Sequence, residues 1–237
     1  MTAYHGGKQR IGKKLAEEIV DEALAIADDE DFQIKGYCEP FCGMLGVYQH
    51  IPELFEEGGL TKLKYKAGDT NGSLIKMWEK MQKKWVPEYK CSKKCFERLK
   101  NDGKVSAKKG FLGFIYSFRG IYFSSYTKRT TQRVKNTIER MKNIAQKLED
   151  VIFSSGKYDQ FSNLRGYVIY CDPPYQKQSE YYIDTGKERK RLTFDNDKFF
   201  EWCRRMSKHN IVFVSEFKAP KDFDQIWKYR DEKLYVL

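Results

Sequence analysis

Gly166-Tyr167-Val168-Ile169-Tyr170-Cys171-Asp172-Pro173-Pro174-Tyr175 is an apolar run that ends in an acid, two prolines and an aromatic ring. β-Branched and aromatic residues at this density predict a buried strand. The two prolines remove two N–H donors and hold the residues before them extended. The strand therefore stops with a carboxylate, main-chain carbonyls and a ring projecting from its carboxyl end. In open α/β sheets that is the end at which ligands bind. Asp172 and the carbonyl of Pro173 could each accept a hydrogen of one amino group, Pro174 stiffens the turn, and Tyr175 offers a face for a planar base. Two such acceptors would localise the nitrogen lone pair and stabilise positive charge developing on it. Taken alone, the same residues also describe a strand followed by a proline-stiffened turn.

Composition narrows the setting. The 237 residues can bury a full core as one domain or a domain with an insertion. No apolar stretch is long enough to span a bilayer and the N-terminus lacks a signal-peptide core, which predicts a soluble intracellular protein. Six cysteines at this length fit reduced thiols better than a disulfide scaffold. Cys38/Cys42 and Cys91/Cys95 share a C-x3-C spacing, but no histidine nearby completes a zinc site, so no metal is expected. The formal charge of +11 is unevenly placed. Residues 83–147 hold 18 Lys or Arg against four acids, a balance of +14, which leaves the rest of the chain at −3. Confinement of the excess to one segment favours a polyanion-binding region over a merely solvated surface.

Along the chain, Tyr4-His5-Gly6-Gly7-Lys8 reads as a tight turn before a helix whose apolar face is Ile11, Leu15, Ile19, Ala23 and Ile26. Residues 34–41 predict a strand running into Glu39-Pro40-Phe41-Cys42-Gly43-Met44-Leu45-Gly46, where glycines permit close approach to a ligand. A helix is expected over Val47 to Glu57, then a strand, Leu63 to Gly68, ending at Asp69. An acid at that place in dinucleotide-binding folds holds a ribose diol, although Asp69 could equally cap the next helix, at 73–84.

In the basic segment, Phe111 to Arg129 interleaves aromatics with glycine, serine and cations. Much of it reads as the core of a small helical lobe. Arg119, Lys128, Arg129 and Arg133 are the candidates for phosphate or base contacts. A helix with Val134, Ile138, Met141, Ile144 and Leu148 on one face follows, then a strand at Val151-Ile152-Phe153 and the turn at Asp159. Residues 176–194 mix charges and tyrosines with no clear period and are expected to form a loop. A helix from Asp195 to Ser207, a buried strand at Ile211 to Glu216 and a hairpin from Gln225 to Leu237 complete the reading.

Gly6-Gly7-Lys8, Glu39-Pro40-Phe41-Cys42-Gly43, Asp69 and Asp172-Pro173-Pro174-Tyr175 occur in the order found in Dam-like, alpha-group DNA adenine methyltransferases, and the chain resembles them over nearly its whole length. The Phe114 to Tyr126 stretch and Ser215-Glu216-Phe217 look like phage members. The resemblance implies a mostly parallel seven-stranded, Rossmann-like sheet binding S-adenosylmethionine (SAM). Residues 1–84 and 148–237 would form the catalytic domain, and 85–147 an inserted, largely helical target-recognition domain. Tyr4, Lys8 and the backbone around Phe41 and Gly43 would meet the methionine end of SAM, Asp69 the ribose hydroxyls, and Asp159 the adenine. Asp172, also bordering the cofactor, and Pro173 would receive the target amino group, with Tyr175 stacked on the base. Double-stranded DNA is the partner implied, the protein acting as a monomer or weak dimer in a bacterial cytoplasm or infected cell. Met44 stands where relatives commonly have a small residue, and the connection after Trp227 is shorter than their basic loop. N4-cytosine methylation, RNA adenine methylation and a silent nucleic-acid-binding relative are the competing readings.

Overall fold

The computed structural model describes residues 7–174, 180–184 and 189–237. Helix α1 (Gly12–Asp29) leads into β1 (Gly36–Glu39), a short 3-10 turn at Tyr48–His50 and α2 (Ile51–Glu57). Then come β2 (Lys64–Asp69), α3 (Gly72–Gln82), α4 (Lys93–Lys100), α5 (Ala107–Ile115) and α6 (Thr131–Lys147). The second half holds β3 (Ile152–Ser155), β4 (Tyr167–Cys171), β5 (Glu180–Asp184), β6 (Arg189–Thr193) and α7 (Asn196–Ser207). β7 (Ile211–Glu216), β8 (Asp224–Tyr229) and β9 (Glu232–Val236) close it.

Seven strands form one sheet in the order β3-β2-β1-β4-β7-β9-β8. The pairings from β3 to β7 are parallel, and β9 returns antiparallel on β7 with β8 antiparallel at the edge. The expected mostly parallel sheet is thus present, with an antiparallel margin. Strands β1, β4 and β7 are buried at every position, because helices cover both faces. On one face Tyr37, Tyr170 and Phe213 join the core of α1, α2 and α3. On the other, Cys38, Ile169, Cys171, Val212 and Val214 pack under Phe199, Trp202, Cys203 and Met206 of α7. After β1 the chain builds outward through β2 and β3, then returns to lay β4 on the other side of β1. In open α/β sheets ligands bind at the carboxyl ends of the strands flanking such a reversal, here β1 and β4.

The basic segment is helical, and its aromatic core is continuous with the core under α3. Two expectations change. Residues 176–194 contain the antiparallel pair β5–β6, in register from Glu180↔Thr193 to Asp184↔Arg189, where a loop was expected. Tyr181-Tyr182-Ile183 and Leu192-Thr193 have strand propensity, but the charges among them hide any alternation. The 47–57 helix begins as the 3-10 turn, and its α-helical part starts at Ile51, with Pro52 in the first turn.

Candidate active site

The parallel register brings the ends of β1, β2, β3 and β4 to one edge of the sheet, with Cys38 opposite Ile169 and Asp69 opposite Ser155. At that edge the loop after β1 turns sharply. Gly43 has φ 46°, a left-handed conformation that costs glycine little. Hydrogen bonds fix the loop. Cys42 N donates to Gly68 O at 2.8 Å, Trp78 Nε1 to Gly43 O at 3.0 Å, and Gly43 N to Asp69 Oδ2 at 3.2 Å. A side chain on Gly12 would collide with the carbonyl of Gly46, so the N-terminal turn lies directly on this loop.

Asp69 is half-buried, and its other oxygen accepts Asn71 N at 2.8 Å. The cap of α3 is Asn71, whose Oδ1 accepts Leu74 N at 3.0 Å, so Asp69 does not cap the helix. It ties the tip of β2 to the glycine loop. Burial raises its carboxyl to about 6, against the two N–H groups that favour the ionised form. Phe41 is half-buried and meets Tyr158, Phe194 and Phe199 with ring centroids 5.7–5.8 Å apart. Asp159, exposed, sits in the turn Tyr158–Phe161 after β3, beside the Asp69 tip.

Asp172 directly follows β4, with Pro173 buried and Pro174 half-buried after it. Its Oδ1 accepts Lys8 Nζ at 2.6 Å, and the same ammonium lies 3.1 Å from Glu232 Oε1 on β9. Burial opposes the charge on Lys8, but Asp172 and Glu232 outweigh it and raise the lysine above its usual value. Behind this pair are buried polar groups. Tyr37 donates to Glu39 at 2.8 Å, Tyr170 and Ser215 share a bond at 2.8 Å, and Glu216 accepts Phe217 N at 2.7 Å. Burial pushes Glu39 and Tyr170 up, toward their neutral forms.

The sequence-selected residues thus separate into groups. Lys8 and Asp172 are in contact, Gly43 and Asp69 are in contact, and Phe41 and Asp159 flank them. Tyr4 and Tyr175 lie outside the described residues. Glu232 was missed, because only the antiparallel return of β9 brings it to this edge.

The four cations stand on and beside the turn after α5. Ser117 bridges Tyr126, and Phe118 N donates to Ser125 O at 2.8 Å, making a small hairpin tipped by Phe118–Gly120. Tyr116 and Tyr126 anchor it by donating to the carbonyls of Tyr89 and Cys91 at 2.6 and 2.8 Å. At the tip Arg119 adopts φ 54° and lies over the Phe118 ring at 5.4 Å. Phe118 is 55% exposed, and sequence reasoning could not separate it from the buried aromatics around it. Lys128 and Arg133 are exposed. Arg129 instead donates to Ile115 O at 3.0 Å and Ser117 O at 3.1 Å, bracing the hairpin.

Comparison with known proteins adds one match. The family model for D12 class N6 adenine-specific DNA methyltransferases matches residues 112–236, just over half of the chain, including Asp172, the hairpin and Glu232. No curated protein matches.

Proposed function

The chain belongs to the D12 class of N6 adenine-specific DNA methyltransferases, and from that premise we propose which residues carry its reaction. It transfers a methyl group from SAM to N6 of adenine in DNA, which sets aside the N4-cytosine and RNA readings. The donor set fits the cofactor. Asp69 is a partly exposed acceptor suited to a ribose diol, and Phe41 and Tyr158 give an aromatic wall. Asp159, exposed in the turn after β3, would meet the adenine, and Lys8 with the Gly43 backbone would meet the methionine end. Bound there, SAM supplies a methyl group already activated by a sulfonium.

The chain's own residues then handle the target base. The reacting nitrogen is inaccessible inside a duplex, so the adenine is extruded at a cost of a few kcal/mol. Asp172 and the Pro173 carbonyl accept the two N6 hydrogens, localising the nitrogen lone pair toward the methyl group. As the N–C bond forms and the S–C bond breaks, positive charge appears on N6 and the carboxylate stabilises it. One N6 proton is then released to Asp172 or to solvent, restoring the neutral amine. Tyr175 stacks on the extruded base, and Pro174 keeps the turn rigid.

Residues 85–147 serve as the target-recognition domain, with Arg119 and Phe118 toward the bases and Lys128 and Arg133 toward phosphates. Arg129 contributes mainly by bracing. The substrate is double-stranded, the protein acts as a monomer or weak dimer, and it works inside the cell, where DNA and reduced thiols are found. No described helix is long and apolar enough to cross a membrane.

The observation that carries the assignment is Asp172 directly after the end of β4, in contact with Lys8. Asp172→Asn keeps the shape and removes the charge. It should leave SAM affinity nearly intact and cut transfer of tritiated methyl to DNA by at least about 100-fold. Transfer at the wild-type rate would remove Asp172 from the mechanism.

A further inference from the structure

Glu232 belongs to none of the motifs above. It opens β9, which runs antiparallel to β7 with Lys233 opposite Glu216, so β9 starts at the edge where the parallel strands end. Its carboxylate and that of Asp172 hold one ammonium between them, at 3.1 and 2.6 Å. The Lys8 side chain is 8% exposed and the two carboxylates 19% and 20%, so little water screens the three charges.

We propose that Glu232 is a positioning residue for methyl transfer, which shares the charge of Lys8 so that Asp172 keeps its strength as an acceptor. With Lys8 and Asp172 alone the tip would be a neutral pair. A carboxylate paired at 2.6 Å accepts amino hydrogens more weakly and the pair offers no net charge to the cationic nitrogen. Adding Glu232 makes the trio one cation and two carboxylates, a net negative group next to where positive charge develops. Among the described residues, burial pushes Glu39 and Tyr170 toward their neutral forms, so they add no full charge to the trio. Glu39 on β1 and Tyr170 on β4 are buried, and Glu216 at the end of β7 accepts its own neighbour's N–H. The ion pair also tethers the β8–β9 turn to the N-terminal turn, which fixes the side on which Lys8 approaches Asp172.

The test is Glu232→Gln, an isosteric change that removes only the charge. With saturating SAM and DNA, the single-turnover rate should fall about tenfold, while KM for SAM and the melting temperature stay close to wild type. Glu232 is one of the two carboxylates that raise the Lys8 pKa, so removing its charge should also move the pH–rate profile to lower pH. Glu232→Asp retains the charge and should keep the wild-type position of the profile. A wild-type rate with an unmoved profile in Glu232→Gln would overturn the proposal. So would a rate loss that merely follows weakened SAM binding and lowered melting, since that marks a structural prop. An Asp profile displaced as far as that of Gln would also count against it. The inference rests on Asp172 as the catalytic acceptor, which the Asp172→Asn assay decides separately.

Discussion

At the scale of single residues, Asp69 carries two duties with one carboxylate. It holds the glycine loop and the start of α3 through Gly43 and Asn71, and in the function proposed here it also accepts the ribose hydroxyls. Its carboxyl is raised from the ordinary aspartate range to about 6 by burial. The ionised form that accepts hydroxyl hydrogens is therefore present above about pH 6 and disappears as the pH falls through it. SAM affinity measured by calorimetry should weaken below that point, approaching tenfold per pH unit. Constant affinity between about pH 5 and 8 in folded protein would show that Asp69 takes no part in cofactor binding. The position of Asp69 at a strand tip was legible from the short run Leu63 to Gly68 before it and the glycine turn upstream. Its hold on Gly43 was not, since that bond depends on how β1 and β2 lie side by side.

Among the elements, the hairpin after α5 shows a basic residue bonded to the backbone of its own turn. Arg129 gives its guanidinium to the carbonyls of Ile115 and Ser117, which lie where α5 ends and the hairpin begins. Arg129→Ala should thus lower stability by about 1–3 kcal/mol in denaturant titration, the scale of a charged donor withdrawn from carbonyls. Its effect on the salt dependence of DNA binding should be slight; a drop of a full unit in that slope would make Arg129 a phosphate ligand after all. The parallel strands were legible as short buried runs, since helices on both faces leave no polar alternation. The pair β5–β6 was not, because its charged residues break the period that marks a strand. The hairpin lay hidden for another reason. Aromatics that pack and an aromatic that projects, Phe118, have the same letters.

Over the whole molecule, charge is unevenly divided. Residues 83–147 carry an excess of +14 and the remainder −3, and in the function proposed here the first attracts DNA while the second holds the cofactor. DNA affinity should fall steeply with salt while SAM affinity changes little. Substituting Lys128 or Arg133 by alanine should lower the slope of log K against log salt by about 0.9 for each phosphate that is no longer neutralised. Filter binding across a salt series would measure this, and parallel lines for wild type and both variants would move the DNA track elsewhere on the surface. The charge division was plain in the sequence. That the basic lobe shares its core with the sheet was not, since composition does not say which apolar faces meet.

The ion pair between Lys8 and Glu232 joins segments separated by almost the entire sequence. Closing so long a loop is entropically unfavourable until the intervening strands are in place. The contact of Lys8 with Glu232 and Asp172 is thus favourable only once β4, β7 and β9 lie side by side. The charges gathered at this edge therefore depend on the closed sheet, and an unfolded chain holds none of them together.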